Sequence, residues 1–294
     1  MVELRGELRE NEPLARHTSW RVGGPARRLY RPADAEDLAA FLRGLDPAEP
    51  LLWLGLGSNL LVPDDGFQGT VIQTQGCLTG LTRLGPTGIF AEAGASCAKV
   101  ARFAARHDLV GVEFLAGIPG TMGGALAMNA GAWGGETWPH VQRVRTLDRT
   151  GTLRERTPDD YAVGYREVRG PEGEWFLSVD LELQPGDGEA GMERIRTLLD
   201  QRARSQPTGV PSCGSVFRNP PGDHAARLIE SSGLKGCRIG GAQVSEKHAN
   251  FIINTGDATA GDIAGLIDHV RREVQRRTGV RLVPEVKVVA GGEP

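Results

Sequence analysis

Apolar positions along this chain follow two periods, and the period changes mark its elements. Leu38, Phe41, Leu42 and Leu45 recur at helical spacing behind Asp34, a good capping residue, so the spacing predicts a helix over residues 34–45. Val100, Phe103 and Ala104 share one face of a second helix, Lys99–His107. Further helices are predicted over Met192–Arg204 and Asp223–Gly233. The longest holds Ile263, Leu266, Ile267, Val270 and Val274 in register, from a Thr259/Asp262 capping pattern to Gly279. Strands are predicted after the Gly23-Gly24-Pro25 turn, at Leu51–Leu54, Val71–Thr74, Gly88–Ala93 and Phe176–Leu183, and after the Gly240-Gly241 turn. A last extended segment, Val280–Val289, carries Glu285 among apolar residues, and alternation favours its solvent face over a site.

Three glycine-rich stretches interrupt this pattern. Leu51–Leu54 runs into Gly55-Leu-Gly-Ser-Asn-Leu60, where exposed backbone N–H groups with Ser58 and Asn59 make either a phosphate cradle or a tight turn between strands. No Gly-Lys-Ser/Thr follows, so it is not a Walker loop. Residues 111–132, including Gly117, Ile118, Pro119, Gly120, Thr121, Gly123 and Gly124, are almost uncharged and too apolar for a surface loop. They suit cover by a flat ligand with a phosphate tail, or a glycine-rich helix packed close to a sheet. Gly186-Asp-Gly-Glu-Ala-Gly191 has the form of a dinucleotide fingerprint. Asp187 and Glu189 would repel a pyrophosphate, however, and no strand bearing an acidic residue follows, so it reads as an exposed inter-domain linker.

Pro211-Ser-Cys-Gly-Ser-Val-Phe-Arg-Asn-Pro220 reads as a turn leading into a short strand. It also places a hydroxyl beside a flexible glycine, then a cation and an amide, which suits an anionic substrate. Composition narrows the picture further. In 294 residues the net charge is −3, which gives no electrostatic basis for binding nucleic acid. No apolar run is long enough to span a membrane, and the charged N-terminus is no signal peptide. Cys77, Cys97, Cys213 and Cys237 are scattered without a Cys-x-x-Cys pair, which argues against a zinc site or disulfide framework and for a reducing cytoplasm.

Taken in order, these motifs resemble the UDP-N-acetylenolpyruvoylglucosamine reductase (MurB) family. The resemblance runs from His17-Thr-Ser-Trp-Arg-Val-Gly-Gly through Gly55-Leu-Gly-Ser-Asn-Leu-Leu, Leu115-Ala-Gly-Ile-Pro-Gly-Thr-Met-Gly-Gly and Tyr165-Arg166. It continues through Gly214-Ser-Val-Phe-Arg-Asn-Pro and Lys247-His-Ala-Asn-Phe to Pro284-Glu-Val. It implies an α+β protein: a two-subdomain FAD-binding module of the vanillyl-alcohol-oxidase (PCMH) type plus a C-terminal α+β substrate-binding domain. The expected segments are 1–75, 76–190 and 191–294, in keeping with the change of character after residue 205. All three tyrosines (Tyr30, Tyr161, Tyr165) precede Arg166, so the chain resembles the shorter subclass lacking an extra tyrosine loop. The family's lysine upstream of the serine motif has Arg202, Arg204 or Gln206 as candidate substitutes.

The resemblance implies non-covalent FAD, cradled by Gly55, Gly57, Ser58, Asn59, Leu60 and the Gly117–Gly124 residues named above. NADPH is the implied co-substrate and a UDP-sugar enolpyruvyl ether the substrate. Hydride passes by way of flavin N5 to the terminal methylene carbon, and the product is a lactyl ether. Charge then builds beside the substrate carboxylate, which calls for a cation to spread it and an acid to quench it. By motif position Arg166 matches the carboxylate-polarising arginine, Glu285 its partner and Ser215 the proton donor. Tyr165, Arg218, Asn219, Lys247 and His248 are the implied substrate contacts. A cytoplasmic monomer without metal, nucleic acid or membrane partners is expected. The competing readings are a flavin oxidase of the same superfamily and an inactive sugar-nucleotide-binding module.

Overall fold

Asp34 starts α1 (Ala35–Arg43) by accepting the Asp37 amide hydrogen, and the helix buries Leu38, Phe41 and Leu42. The predicted cap and spacing are both realised. Tyr30 stacks on Phe41 with ring centroids 3.8 Å apart, and its hydroxyl donates to Asp37 (2.6 Å). The computed structural model describes residues 4–289, which gather into two units. The first takes the chain up to Arg9, Arg28–Leu56 and Thr70–Gln201; the second takes Glu10–Arg27, Gly57–Gly69 and the chain from Arg202.

In the first unit Leu51–Leu54 runs parallel to residues 70–73, with Leu51 opposite Thr70 and Leu54 opposite Gln73. A five-stranded antiparallel sheet has the order Leu153–Arg156, Val141–Asp148, Glu174–Glu182, Gly88–Glu92, Leu81–Leu84. Two helices, α2 (Cys97–Arg106) and α3 (Met122–Met128), share one core with it, in which Val100, Ala104, Met122 and Leu126 meet Ile89, Val144, Val179 and Leu181. Burial of about 1.5–3 kcal/mol per large aliphatic side chain holds this layer together.

The Gly186–Gly191 stretch is largely exposed, but it opens a helix and does not link the two units. Asp187 accepts the amide hydrogens of Glu189 and Ala190 and begins α4 (Gly188–Ser205). Gly188 and Gly191 are buried, and a Cβ at Gly188 would lie 2.0 Å from the Ala105 carbonyl oxygen. The glycines let this helix approach α2, and the expected boundary at 190/191 falls inside α4.

The second unit packs α5 (Ala225–Ser231) and α6 (Ala260–Thr278) with a three-stranded antiparallel sheet, Arg238–Ile239, Ala242–Val244 and Ile252–Asn254. The α6 stripe Ile263, Leu266, Ile267, Val270 and Val274 is buried with Val244, Ile252, Val216 and Phe217. The capping box of Thr259 and Asp262 forms as predicted, Gly279 ends the helix at φ 76°, and Asp64 accepts from the first helical amides of Ala260 (2.8 Å) and Gly261 (2.9 Å). Trp20 is fully buried; its indole donates to the Ile252 carbonyl (2.7 Å) and its own carbonyl accepts from Asn254 (2.9 Å). Of the extended segment 280–289, only Lys287–Val288 joins a ladder, parallel to Leu60–Leu61. No helix among the described residues is long and apolar enough to cross a membrane.

Candidate active site

In the first unit the strands Ala162–Gly164 and Glu167–Arg169 form a hairpin with Tyr165 and Arg166 at its turn. Arg166 takes φ 55°, left-handed backbone that costs a non-glycine residue roughly 1–2 kcal/mol. Its guanidinium donates to the Asn129 carbonyl (3.2 Å) and to the Gly131 carbonyl, and lies 5.1 Å from the Tyr165 ring centroid. Asn129 caps the C-terminal end of α3, where backbone oxygens lose their helical partners, and Gly131 begins the short strand that follows. Tyr165 is 48% exposed, so the ring is open to a ligand.

The same unit holds the apolar glycine segment. Among its residues, Pro119 is exposed and Ile118 half-buried, and the Gly120 carbonyl accepts from Cys97 (3.0 Å). The N–H groups of Met122 and Gly123 donate to the carbonyls of Ala95 (2.8 Å) and Ala93 (2.9 Å). A Cβ at Gly123 would lie 3.0 Å from that of Ala93, and one at Gly117 2.0 Å from the Trp133 ring. At both positions glycine serves close packing: Gly123 of α3 against the end of a sheet strand, as the helix-on-sheet alternative expects, and Gly117 against a tryptophan in a turn. Gly124 differs: it is exposed, and nothing comes nearer than 3.9 Å to where its Cβ would be. The Thr121 hydroxyl is buried with no hydrogen-bond partner among the described residues, and it would sit 2.5 Å from a Cβ on Gly55. An open helical glycine beside a buried, unanswered hydroxyl and a side-chain-free Gly55 fit a cofactor that brings its own acceptor oxygens, as a pyrophosphate does.

In the second unit Gly57 adopts φ 67°, and a Cβ there would meet the His17 carbonyl oxygen at 2.1 Å. The His17–Gly24 motif thus supports this turn from below, with Ser19 N–H bonded to the Gly57 carbonyl (3.1 Å). Ser58 and Leu60 are half-buried beside it. Asn59 donates through its side chain to the Glu285 carbonyl (3.2 Å), and its own carbonyl accepts from Lys287 (3.0 Å).

The Pro211–Pro220 stretch is fixed by backbone pairing without forming a regular strand; Ser212 bridges Ile253 and Phe217 bridges Pro284. Val216 accepts from the Glu285 N–H (2.7 Å) and donates to the Asn250 carbonyl (2.9 Å). The buried Asn250 side chain accepts from Phe217 N–H (3.0 Å) and donates to its carbonyl (2.8 Å). Ser215 and Glu285, both half-buried, are therefore brought onto paired backbone. Gly214 takes φ 80° with open space beside it. Burial, reinforced by the Glu285 charge, pushes the Cys213 thiol well above its ordinary range, which removes it as a nucleophile.

The remaining predicted residues lie nearby in the second unit's chain but have local partners. Arg218 N–H donates to Val283 (2.9 Å), while its Nε is buried without a partner among the described residues. Asn219 accepts from Ala225 (3.1 Å) at the start of α5. Lys247 reaches the Ala203 carbonyl at the end of α4 (2.5 Å). His248 accepts the Asn250 amide hydrogen on Nδ1 (3.3 Å), and burial holds its imidazole below the usual range, so it is neutral with its proton on Nε2. Sequence reasoning gave no role to Asn129 or to Asn250, although Asn250 stands inside the Lys247–Phe251 motif, since nothing in an asparagine's surroundings in the chain tells that it braces distant backbone. Among the described residues no cluster of His, Cys, Asp and Glu could hold a metal ion.

A family model described as the C-terminal domain of UDP-N-acetylenolpyruvoylglucosamine reductase matches residues 206–289, and one described as an FAD binding domain matches 26–156. UDP-N-acetylenolpyruvoylglucosamine reductase of Alkalilimnicola ehrlichii is 64% identical over 97% of this chain and 95% of its own length. That of Methylococcus capsulatus is 63% identical over 97% and 94%. The crystal structure of the Thermus caldophilus reductase superposes with a TM-score of 0.80 at 34% identity, covering 97% of this chain and 99% of that one.

Proposed function

The chain belongs to the UDP-N-acetylenolpyruvoylglucosamine reductase family, and from that premise we propose how its own residues carry out the reaction. The protein is an oxidoreductase that reduces UDP-N-acetylglucosamine enolpyruvate to UDP-N-acetylmuramate for peptidoglycan precursor synthesis, with FAD as cofactor and NADPH as co-substrate. FAD, when bound, supplies the relay that carries hydride from NADPH to the sugar's enol ether. The cofactor is held through Gly55, Gly57, Ser58, Asn59, Leu60 and Gly117–Gly124, and the C-terminal part of the chain carries most of the substrate contacts. Thr121, whose buried hydroxyl has no partner among the described residues, would help hold the cofactor, and Gly124 would leave room for it.

Hydride adds to the terminal methylene carbon, so negative charge develops on the carbon bearing the carboxylate and spreads into that group. Arg166 draws off this charge, with its guanidinium oriented by two backbone carbonyls before the substrate arrives. Ser215 donates the proton that completes the lactyl ether. A serine hydroxyl is a weak acid, and Glu285 assists by orienting and relaying that proton. Tyr165, Arg218, Asn219, Lys247 and His248 contact the nucleotide sugar. The observation that best supports this assignment is the 2.7 Å bond from the Glu285 N–H to the Val216 carbonyl, which registers Glu285 against the residue after Ser215.

The test is a visible spectrum of the purified protein under anaerobic conditions. Flavin absorbance should bleach with NADPH and return on adding the enolpyruvyl sugar; a protein without flavin absorbance, or one that reoxidises only in air, would overturn the assignment. The enzyme works as a cytoplasmic monomer, which light scattering of the FAD-loaded protein checks.

A further inference from the structure

We propose, building on the assignment of Arg166 to the substrate carboxylate, that Asn129 is the positioning residue that sets this arginine. Asn129 ends α3 in left-handed backbone (φ 45°, ψ 56°), which asparagine tolerates better than most residues. Its side chain is almost fully buried, at 1% exposure, and makes three hydrogen bonds. The amide nitrogen donates to Glu136 (3.0 Å) and to the Gly164 carbonyl (3.1 Å), and the amide oxygen accepts the Trp138 N–H (3.1 Å). A carbonyl on one side and an N–H on the other fix which way the amide points.

Gly164 is the last strand residue before the turn that carries Arg166. Asn129 therefore holds this arginine at two places: its side chain fixes the strand residue that leads into the turn, and its own carbonyl receives the guanidinium. Gly131 completes the seat, since a Cβ there would lie 3.1 Å from Arg166 Nη1. An arginine in strained backbone at the tip of a mostly exposed hairpin needs such bracing to keep one orientation. Nothing in the chemistry requires Asn129 to touch the substrate.

The experiment uses the FAD-loaded full chain and measures flavin reduction by NADPH separately from reoxidation by the enolpyruvyl sugar, together with FAD affinity and melting temperature. Asn129→Gly keeps the left-handed backbone and removes the side chain. It should slow the sugar-dependent step about 10- to 100-fold, as expected for a group displaced by about 1 Å, and leave NADPH reduction and FAD affinity unchanged. On an Arg166→Ala background the same substitution should add no further loss, which a general structural defect would not reproduce. An unchanged sugar step in Asn129→Gly, or an additive loss in the double variant, overturns the proposal. If the glycine variant does not fold, Asn129→Asp keeps the oxygen for Trp138 and carries the same expectation; failure of both to fold assigns Asn129 to structure alone and also overturns it. Should Arg166→Ala itself leave the sugar step intact, it is the role of Arg166 that fails; a slow Arg166→Ala with a fast Asn129→Gly removes only the positioning role.

Discussion

Arg166 and Ser215 are held by opposite means. Arg166 stands on a hairpin with four exposed residues just before it, in strained backbone, and its orientation comes from carbonyls that grip its side chain. Ser215 precedes two fully buried residues, Val216 and Phe217, and its place comes from main-chain bonds to Glu285 and Asn250. A residue placed by its side chain can be lost while the fold survives. A residue placed by core backbone cannot be moved without disturbing the core. The difference matches the tasks proposed for them: a cation meant to meet a carboxylate needs an aimed side chain, and a short hydroxyl can only be aimed by its backbone.

The sharpest way to break the comparison is Arg166→Gly. Glycine relaxes the φ of 55°, a gain of about 1 kcal/mol that offsets the lost carbonyl contacts. Melting should stay within a few degrees of the parent, while reoxidation of the reduced flavin by the enolpyruvyl sugar falls about 1,000-fold. A variant that melts much lower would show that the arginine holds the hairpin together, and the contrast with Ser215 would disappear.

Asn250→Ala attacks the other region at its support. It strips partners from the N–H and the carbonyl of Phe217, both buried, and should cost about 2–4 kcal/mol of stability by denaturant titration. Activity should fall together with the fold, not ahead of it. A stable but inactive variant would mean that Ser215 can be displaced independently of the core after all.

Much of this was legible in the chain because the signals were local. The α6 stripe, the Thr259 and Asp262 capping box and the Gly279 stop each lie within a few residues of what they specify, and all three form. The Gly186–Gly191 stretch misled because its reason is distant: Gly188 is glycine on account of Ala105, some eighty positions earlier. The same holds for the sites. Ser215 and Glu285 stood out as residue types within motifs, whereas Asn129 and Asn250 act by bonding to backbone atoms 35 and 33 positions away, and no pattern of side chains announces a carbonyl. Glu285 shows the limit of alternation, since it lies in an irregular segment fixed by Val216 and Asn59 and not in a strand with a solvent face.

Ser215→Ala separates the hydroxyl from its support. Its backbone bonds survive, so stability should change by no more than about 0.5 kcal/mol. FAD binding and reduction by NADPH should be unaltered, and the sugar-dependent step should slow about 100-fold, in the range expected for losing a general acid. Stopped-flow absorbance of the two half-reactions checks this, and an unchanged second half-reaction removes Ser215 from the acid role.

The smallest expected effect is a pH dependence, of which His248 supplies the share near Ser215, while burial also lowers His140 in the first unit. Burial is the main cause that lowers the His248 pKa; a backbone hydrogen bond works against it, Lys235 opposes the charge, Glu230 favours it more weakly, and Nδ1 accepts the Asn250 amide hydrogen. Its folded pKa lies below the ordinary value near 6.5, so below about pH 6.5 the unfolded chain binds the extra proton first. The stability that depends on neutral His248 is therefore present above that pH and is lost as pH falls through the folded value, where protonated Nδ1 can no longer accept from Asn250. His248→Gln, which cannot titrate, should flatten the fall of melting temperature between about pH 6.5 and 5. Asn129, which braces Arg166, bonds through an amide that does not titrate, so Asn129→Gly should leave the share of that slope that His248→Gln removes as it is. If both substitutions change the slope alike, acid acts on the whole molecule and the two loops are not held independently.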